Sequence, residues 1–224
     1  MARQHDAMNA RLLLPVAVLL CTAAGAAQAA PALGATVGTT GIGLGLAVPI
    51  SERLGFRAEV GGADFSRDFT AGRVDYDGRL RLRSLSALLD VHPWRNAFRL
   101  STGLVINDSR LGAIGTPAGG RLTVNGITYP APPGERLNGD IKLRPVSPYL
   151  GIGFGHVASA QRGWGVYADL GVTLADPRVK LSATPMITAL AGQANIDAEA
   201  RELQAQADRL RLYPVVRVGL RYNF

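Results

Sequence analysis

The sequence predicts an all-β chain, a closed antiparallel transmembrane β-barrel of eight strands with a short helix in one external loop. Three observations carry this expectation. Segment after segment alternates apolar and polar residues with period two, as strands do when their two faces meet different surroundings. Beyond residue 30 no stretch is continuously apolar over the roughly 20 residues a spanning helix needs, so any membrane crossing must use strands of about 9–11 residues, closed so that every backbone group is paired. The N-terminal segment has the composition of an export leader. Arg3 and Arg11 flank its start, an apolar run covers residues 12–21, and AAQAA precedes Pro31, the anatomy of a signal peptide cleaved near Ala30. The expected organisation is residues 1–30 as leader and residues 31–224 as one barrel domain.

Composition narrows the function classes. The formal net charge is +7, and removing Arg3, Arg11 and Asp6 with the leader lowers it to +6. A basic excess can signal nucleic acid, but here the charges alternate along strands and sit in loops, and an exported chain is not expected to meet nucleic acid. Outer-membrane lipids and lipopolysaccharide phosphates are the expected partners instead. Cys21 is the single cysteine and lies in the leader behind Leu20, where a lipoprotein site takes a small residue. The mature chain then has no disulfide and no thiolate metal site, and no metal or cofactor is expected.

The strands follow in order. Ile42, Leu44, Leu46 and Val48 oppose Gly41, Gly43, Gly45 and Ala47. After the turn SERLG, residues 56–69 place Phe56, Ala58 and Val60 opposite Arg57, Glu59 and Gly61. TAGRVDYDG reads as a short polar loop. Residues 79–91 put Leu85, Ala87, Leu89 and Val91 on one face, yet RLRLR at the start carries arginines on that same parity. Either a bulge changes the phase or these arginines stand above the hydrocarbon, at the headgroups. Beyond the turn HPWRN, Phe98, Leu100, Thr102, Leu104 and Ile106 alternate with Arg99, Ser101, Gly103, Val105 and Asn107. Residues 112–139 form a long Gly/Pro-rich loop in which TVNGITY carries the Asn-Gly hairpin signal. Residues 146–156 and 164–174 resume the alternation, the latter most cleanly.

Residues 176–208 are a second insertion. NIDAEARELQAQADRL offers Asn195 or Asp197 as N-cap, strong helix formers and Ile196, Leu203 and Leu210 at seven-residue spacing. It predicts a short polar helix lying against the barrel rim. Seven strands are evident, and single-chain bacterial barrels normally have an even number. The eighth lies in residues 32–40 or in residues 179–190, where Pro185 is a poor fit to a central strand. Short turns at residues 51–55, 93–96 and 158–163 would face the periplasm and the long insertions would face outside.

With the apolar parity facing lipid, the other parity lines the lumen. It gathers Arg57, Glu59, Asp90, Arg99, Tyr149, Tyr167, Asp169, Arg211, Arg217 and Arg221 beside many glycines. An eight-stranded barrel is just wide enough for side chains to fill it, and buried charges must be paired, so an Arg–Asp/Glu network through the core is expected. The functional alternative is a narrow anion-preferring passage lined by Arg99, Arg211, Arg217 and Arg221. Catalysis is not expected. His92 reads as an interfacial residue at a turn. His156 and Ser159 loosely resemble the His/Ser pair of lipid A deacylases, but their spacing of three puts them on opposite strand faces. GIGLG and LGIGFG open no helix and do not read as phosphate loops.

The final segment, LRLYPVVRVGLRYNF, puts Leu210, Leu212, Val216, Val218, Leu220, Tyr222 and Phe224 on one parity, interrupted by Pro214. It resembles the C-terminal strand by which Gram-negative outer-membrane barrels are recognised for insertion, with Val218, Leu220, Tyr222 and Phe224 as the assembly signal read by the barrel-assembly machinery. Together with GTTGIGLGL, SLSALLDVHPW, FRLSTGLVIND and SPYLGIGFG, this ending resembles a family of small proteobacterial outer-membrane proteins and is broadly similar to the OmpA/OmpX/OmpW-type small barrels. The resemblance implies residence in the cell outer membrane and no reaction. OmpW-like barrels further imply porin-like uptake of small hydrophobic compounds. The expectation is a monomeric, non-enzymatic barrel whose external segments, residues 112–139 and 176–208, perform its recognition.

Overall fold

A computed structural model describes residues 31–71, 74–117, 119–155 and 162–224. The leader, His156 and Ser159 lie outside the described residues. In chain order the strands are β1 (Ala32–Gly38), β2 (Gly41–Pro49), β3 (Leu54–Ala71), β4 (Val74–Val91), β5 (Phe98–Asn107), β6 (Arg110–Pro117), β7 (Arg121–Val124), β8 (Ile127–Pro130), β9 (Leu137–Lys142), β10 (Val146–Phe154), β11 (Gly163–Leu174), β12 (Arg178–Ala183) and β13 (Leu212–Asn223). Two helices, α1 (Pro185–Ala191) and α2 (Gln193–Ala207), precede the last strand.

Eight strands close a ring in the order β1-β2-β3-β4-β5-β10-β11-β13, each pair antiparallel, with β13 returning to β1. The eighth strand is therefore β1, from residues 32–40, and not residues 179–190, which form β12 and α1 outside the ring. Alternate residues of the ring are exposed aliphatics, among them Ile42, Leu44, Leu104, Leu150, Val166, Leu170 and Leu220. Such a belt is stable against hydrocarbon and not against water. Trp164, Tyr222 and Phe224 make consecutive ring contacts at one end of the belt, with centroids 5.3 and 5.2 Å apart, and Trp94 packs on Phe98 at the same end. The turns at residues 51–55 and 93–96 and both ends of the described chain lie there, where Phe224 N donates to the carbonyl of Pro31, while most of the expected turn at residues 158–163 lies outside the described residues.

At the other end one side of the wall keeps going. β3 and β4 each run 18 residues, about 60 Å at roughly 3.3 Å per residue, about twice the hydrocarbon thickness. TAGRVDYDG is thus largely strand, its described part continuing β3 and β4 instead of forming a loop. Pairing from Leu54↔Val91 to Ala71↔Val74 keeps a single offset, so no bulge interrupts it. Arg79, Arg81 and Arg83 are exposed on the same outward face as the lipid-facing aliphatics of β4. β6 continues β5 along β4 without a shift, since Ser84↔Asn107 and Arg81↔Arg110 share one offset. β9 likewise continues into β10, and β12 pairs with β9. An external sheet, β3-β4-β6-β9-β12, results.

Residues 112–139 are accordingly not one loop but parts of β6 and β9 enclosing the β7–β8 hairpin. The hairpin turns at Asn125 (φ 51°) and Gly126 (φ 72°), the left-handed pair that a two-residue type I′ loop requires. Leu122, Val124, Ala131, Ile187 and Ile196 form a buried cluster with Val74, Tyr129, Leu137, Leu181 and Ala183 around it, giving the external sheet a core of its own. The helix starts earlier than Asn195 or Asp197, at Gln193 behind Gly192. It lies on this sheet and not on the barrel rim: Gln204 accepts from Val179 N and donates to Pro177 O, each at 2.8 Å, and Glu199 accepts from Asn125 N at 2.7 Å. Of the expected stripe, Ile196 is buried, Leu203 is half-buried and Leu210 is exposed beyond the helix end.

Candidate functional site in the barrel lumen

The lumen-facing parity brings polar side chains from five strands to one level. Arg57 on β3 is the hub. Its Nε donates to Asp90 Oδ2 at 2.9 Å, and its Nη1 donates to Glu59 Oε1 at 2.6 Å and Asp169 Oδ2 at 2.7 Å. Arg99 Nη2 donates to Asp169 Oδ1 at 2.5 Å, and its Nε lies 3.7 Å from Asp90. Arg217 pairs with Glu59 and lies 4.0 Å from Asp169. Three guanidiniums thus face three carboxylates, every side chain at most 4% exposed. The ensemble is neutral, the condition under which ionised groups tolerate such burial.

The remaining space is filled from above and below. Arg99 lies over the Tyr167 ring at 5.6 Å and Arg217 over the Tyr149 ring at 5.3 Å, placing cations against π faces. Among the described residues Arg99 Nη1 and Arg217 Nη2 have no hydrogen-bond acceptor, and the ring faces add to the carboxylate pairing of these two guanidiniums. Opposing glycines make room: a Cβ on Gly171 would meet the Tyr149 hydroxyl at 2.5 Å, one on Gly153 would meet Asp169 Oδ1 at 2.6 Å, and one on Gly219 would meet Tyr167 at 2.6 Å. At the short-turn end a crevice lined by Ala32, Gly34, Gly45, Ala47, Tyr167 and Arg221 has a volume of about 20 Å³, room for a single water.

Of the lumen residues expected from alternation, Arg57, Glu59, Asp90, Arg99, Asp169 and Arg217 share this network, Tyr149 and Tyr167 stack on it, and Arg221 is buried at the crevice. Arg211 does not belong. It precedes β13 and is exposed, because the strand begins one residue later and the chain at Arg211 still lies at the external rim, where its carbonyl accepts from Ala175 N at 2.8 Å. His92 is also misplaced by the sequence reading: it is fully buried, on the lumen parity at the end of β4. Ser101 joins the site without having been singled out, donating to Asp90 Oδ1 at 2.6 Å. Its signal was its parity, two residues from Arg99. Among the described residues no cluster of His, Cys, Asp and Glu could hold a metal ion.

The architecture has solved counterparts. CarO of Acinetobacter baumannii superposes with a TM-score of 0.59 at 23% identity, covering 88% of this chain and 98% of that one. CarO2 of the same organism gives 0.61 at 22% identity, covering 88% and 100%. The chain therefore has the fold of an outer-membrane β-barrel. No protein-family model and no curated protein matches it in sequence.

Proposed function

We propose that the chain is an integral outer-membrane barrel, non-catalytic and non-conducting, that anchors a folded external sheet at the cell surface for recognition. The observation that carries this reading is the neutral three-on-three ion-pair network across the lumen. Four arginines on a pore lining would select anions, but Arg99 and Arg217 are already matched by Asp169 and Glu59, Arg211 is outside, and Arg221 stands apart from the network, buried at the short-turn end. Continuous pairing around all eight seams also favours a closed wall over the lateral opening of an OmpW-like uptake path. The external sheet has an unshared edge: residues 63–71 of β3 pair only with β4, and Phe65 and Phe69 are exposed along it. An open edge strand is a template for a partner strand.

Conductance of the folded protein in a planar bilayer tests the closed lumen. Silence, with an Arg99→Gln/Arg217→Gln variant opening measurable steps by unplugging the network, is the expected result. Anion-selective steps from the unaltered protein would reject the plug. In the same scheme Val218, Leu220, Tyr222 and Phe224 serve the assembly machinery, and Phe224→Asp is expected to lower the amount of heat-modifiable, folded protein in outer-membrane fractions. Undiminished folded protein would remove that role.

A further inference from the structure

Four cationic residues stand directly opposite one another across the external sheet. Arg81 on β4 pairs in register with Arg110 on β6, Arg110 with Lys142 on β9, and Lys142 with Arg178 on β12. All four are exposed and share the face that, lower down, meets lipid. Like charges directly opposite in a sheet are destabilising, so this row costs stability unless something outside the sheet neutralises it.

The sheet supplies only part of the counter-charge. Asp64 lies 3.3 Å from Arg81 and 3.4 Å from Arg83, and Asp108 lies 3.0 Å from Arg110. Asp140 and Asp176 are in the same region, yet among the described residues neither Lys142 nor Arg178 has a carboxylate within ion-pair distance. Arg144 and Lys180, both exposed, add to the positive side.

The height of the row names its counterpart. Three of the cations are four residues beyond the nearest aliphatic below them on the same face, in unbroken register: Leu85 below Arg81, Ile106 below Arg110 and Val146 below Lys142; Arg178 stands level with Lys142. Four residues span about 13 Å along a strand, or about 9 Å above the hydrocarbon for strands tilted at roughly 45°. From there Arg and Lys side chains can bend back to the polar headgroup layer. Charge neutralisation along a row of adjacent strands, each about 4.8 Å apart, suits a ligand carrying more than one phosphate.

We propose that the row Arg81–Arg110–Lys142–Arg178 is a binding site for a phosphorylated glycolipid headgroup of the outer leaflet, of the lipid A type. This rests on the outer-membrane reading above. The test uses the full mature chain folded into phosphatidylcholine nanodiscs containing diphosphorylated lipid A or its dephosphorylated form, with bound lipid counted by native mass spectrometry. The expected result is retention of the diphosphorylated lipid at least about tenfold over the dephosphorylated one, since basic residues near an anionic surface attract its phosphates. Arg110→Gln/Lys142→Gln/Arg178→Gln should abolish the preference and Lys142→Arg should keep it. Equal retention of the two lipids by the unaltered protein would overturn the site, whether or not the triple variant folds. Loss of the preference in millimolar inorganic phosphate, with phosphate itself bound at the row, would assign the site to a free anion and also overturn it. Failure of the unaltered chain to fold into any bilayer would instead sink the outer-membrane reading.

Discussion

Two rows of residues on the same face of the same continuing strands differ completely. In the barrel wall, Val91, Leu100, Ile152 and Leu170 lie opposite one another and point outward. Ten residues further along β4 the outward row is Arg81, Arg110, Lys142 and Arg178. The inward faces reverse as well. The barrel points Asp90, Ser101, Gly151 and Gly171 inward, whereas the external sheet points Leu80, Leu111, Ile141 and Val179 inward. No bulge separates the two regions along β3 and β4. The backbone is one sheet, and the solvent outside it changes from hydrocarbon to water while the inside changes from a polar plug to an apolar core. Membrane position is thus written in side-chain polarity alone.

Removing a charge from each region is the sharpest way to break that comparison. Asp169 contacts Arg57 at 2.7 Å and Arg99 at 2.5 Å in the plug. Asp169→Leu leaves three buried guanidiniums facing two carboxylates, and breaking one partner of a buried ionic set costs about 3–5 kcal/mol. The expected outcome is a matching fall in unfolding free energy, read from urea titration of the protein folded in lipid vesicles. A change below about 1 kcal/mol would mean that the lumen is hydrated and its charges individually solvated.

Placing a charge where only one region forbids it comes next. Leu150 is 64% exposed in the middle of the belt on β10, and Arg on the lipid face near the midplane costs about 2–4 kcal/mol. Ile114, on the outward face of β6 in the external sheet, should accept Arg with no more than about 0.5 kcal/mol, the usual size of a surface change. Equal costs at the two positions, in the same vesicle titration, would erase the proposed membrane boundary.

The external core gives a third contrast. Ile187 is fully buried with Ile196, Leu122 and Val124, and Ile187→Ala should cost about 2–3 kcal/mol through lost burial and a cavity. Because this core is separate from the lumen cluster of Leu88, Val105, Tyr149 and Val215, the loss should be local. Protease is expected to cut within residues 176–208 while the gel mobility of the folded barrel is unchanged. Coupled loss of both would show that the two regions fold as one.

Legibility in the sequence followed the same division. Period-two alternation located seven of the ring strands and most of the plug, because one outward aliphatic row and one inward polar row repeat in each. β1 was hard to place because ALGATVG has few aliphatics and two glycines, too little contrast for alternation to register. Alternation does not separate β6 and β9 from loop, nor β12 from a candidate ring strand, because they are only 8, 6 and 6 residues long and invert the polarity that defines a strand elsewhere. RLRLR held that inversion in plain view. Parity puts Arg211 in the lumen only by being extended past the first residue of β13, where it no longer fixes direction.

The smallest effect completes the comparison. Asp64 lies 3.3 Å from Arg81 and 3.4 Å from Arg83, within ion-pair distance as in the plug, but its side chain is 62% exposed. Water and salt screen such a pair, and exposed ion pairs contribute about 0–1 kcal/mol. Asp64→Asn should therefore shift the urea midpoint barely at all at 0.15 M salt, while Asp169→Leu shifts it strongly at any salt. Asp64→Asn also strips Arg81 of its carboxylate partner, so the same variant should bind diphosphorylated lipid A slightly more tightly than the unaltered chain. A large loss of stability would place Asp64 in a buried environment and remove the solvent contrast on which the two regions are distinguished.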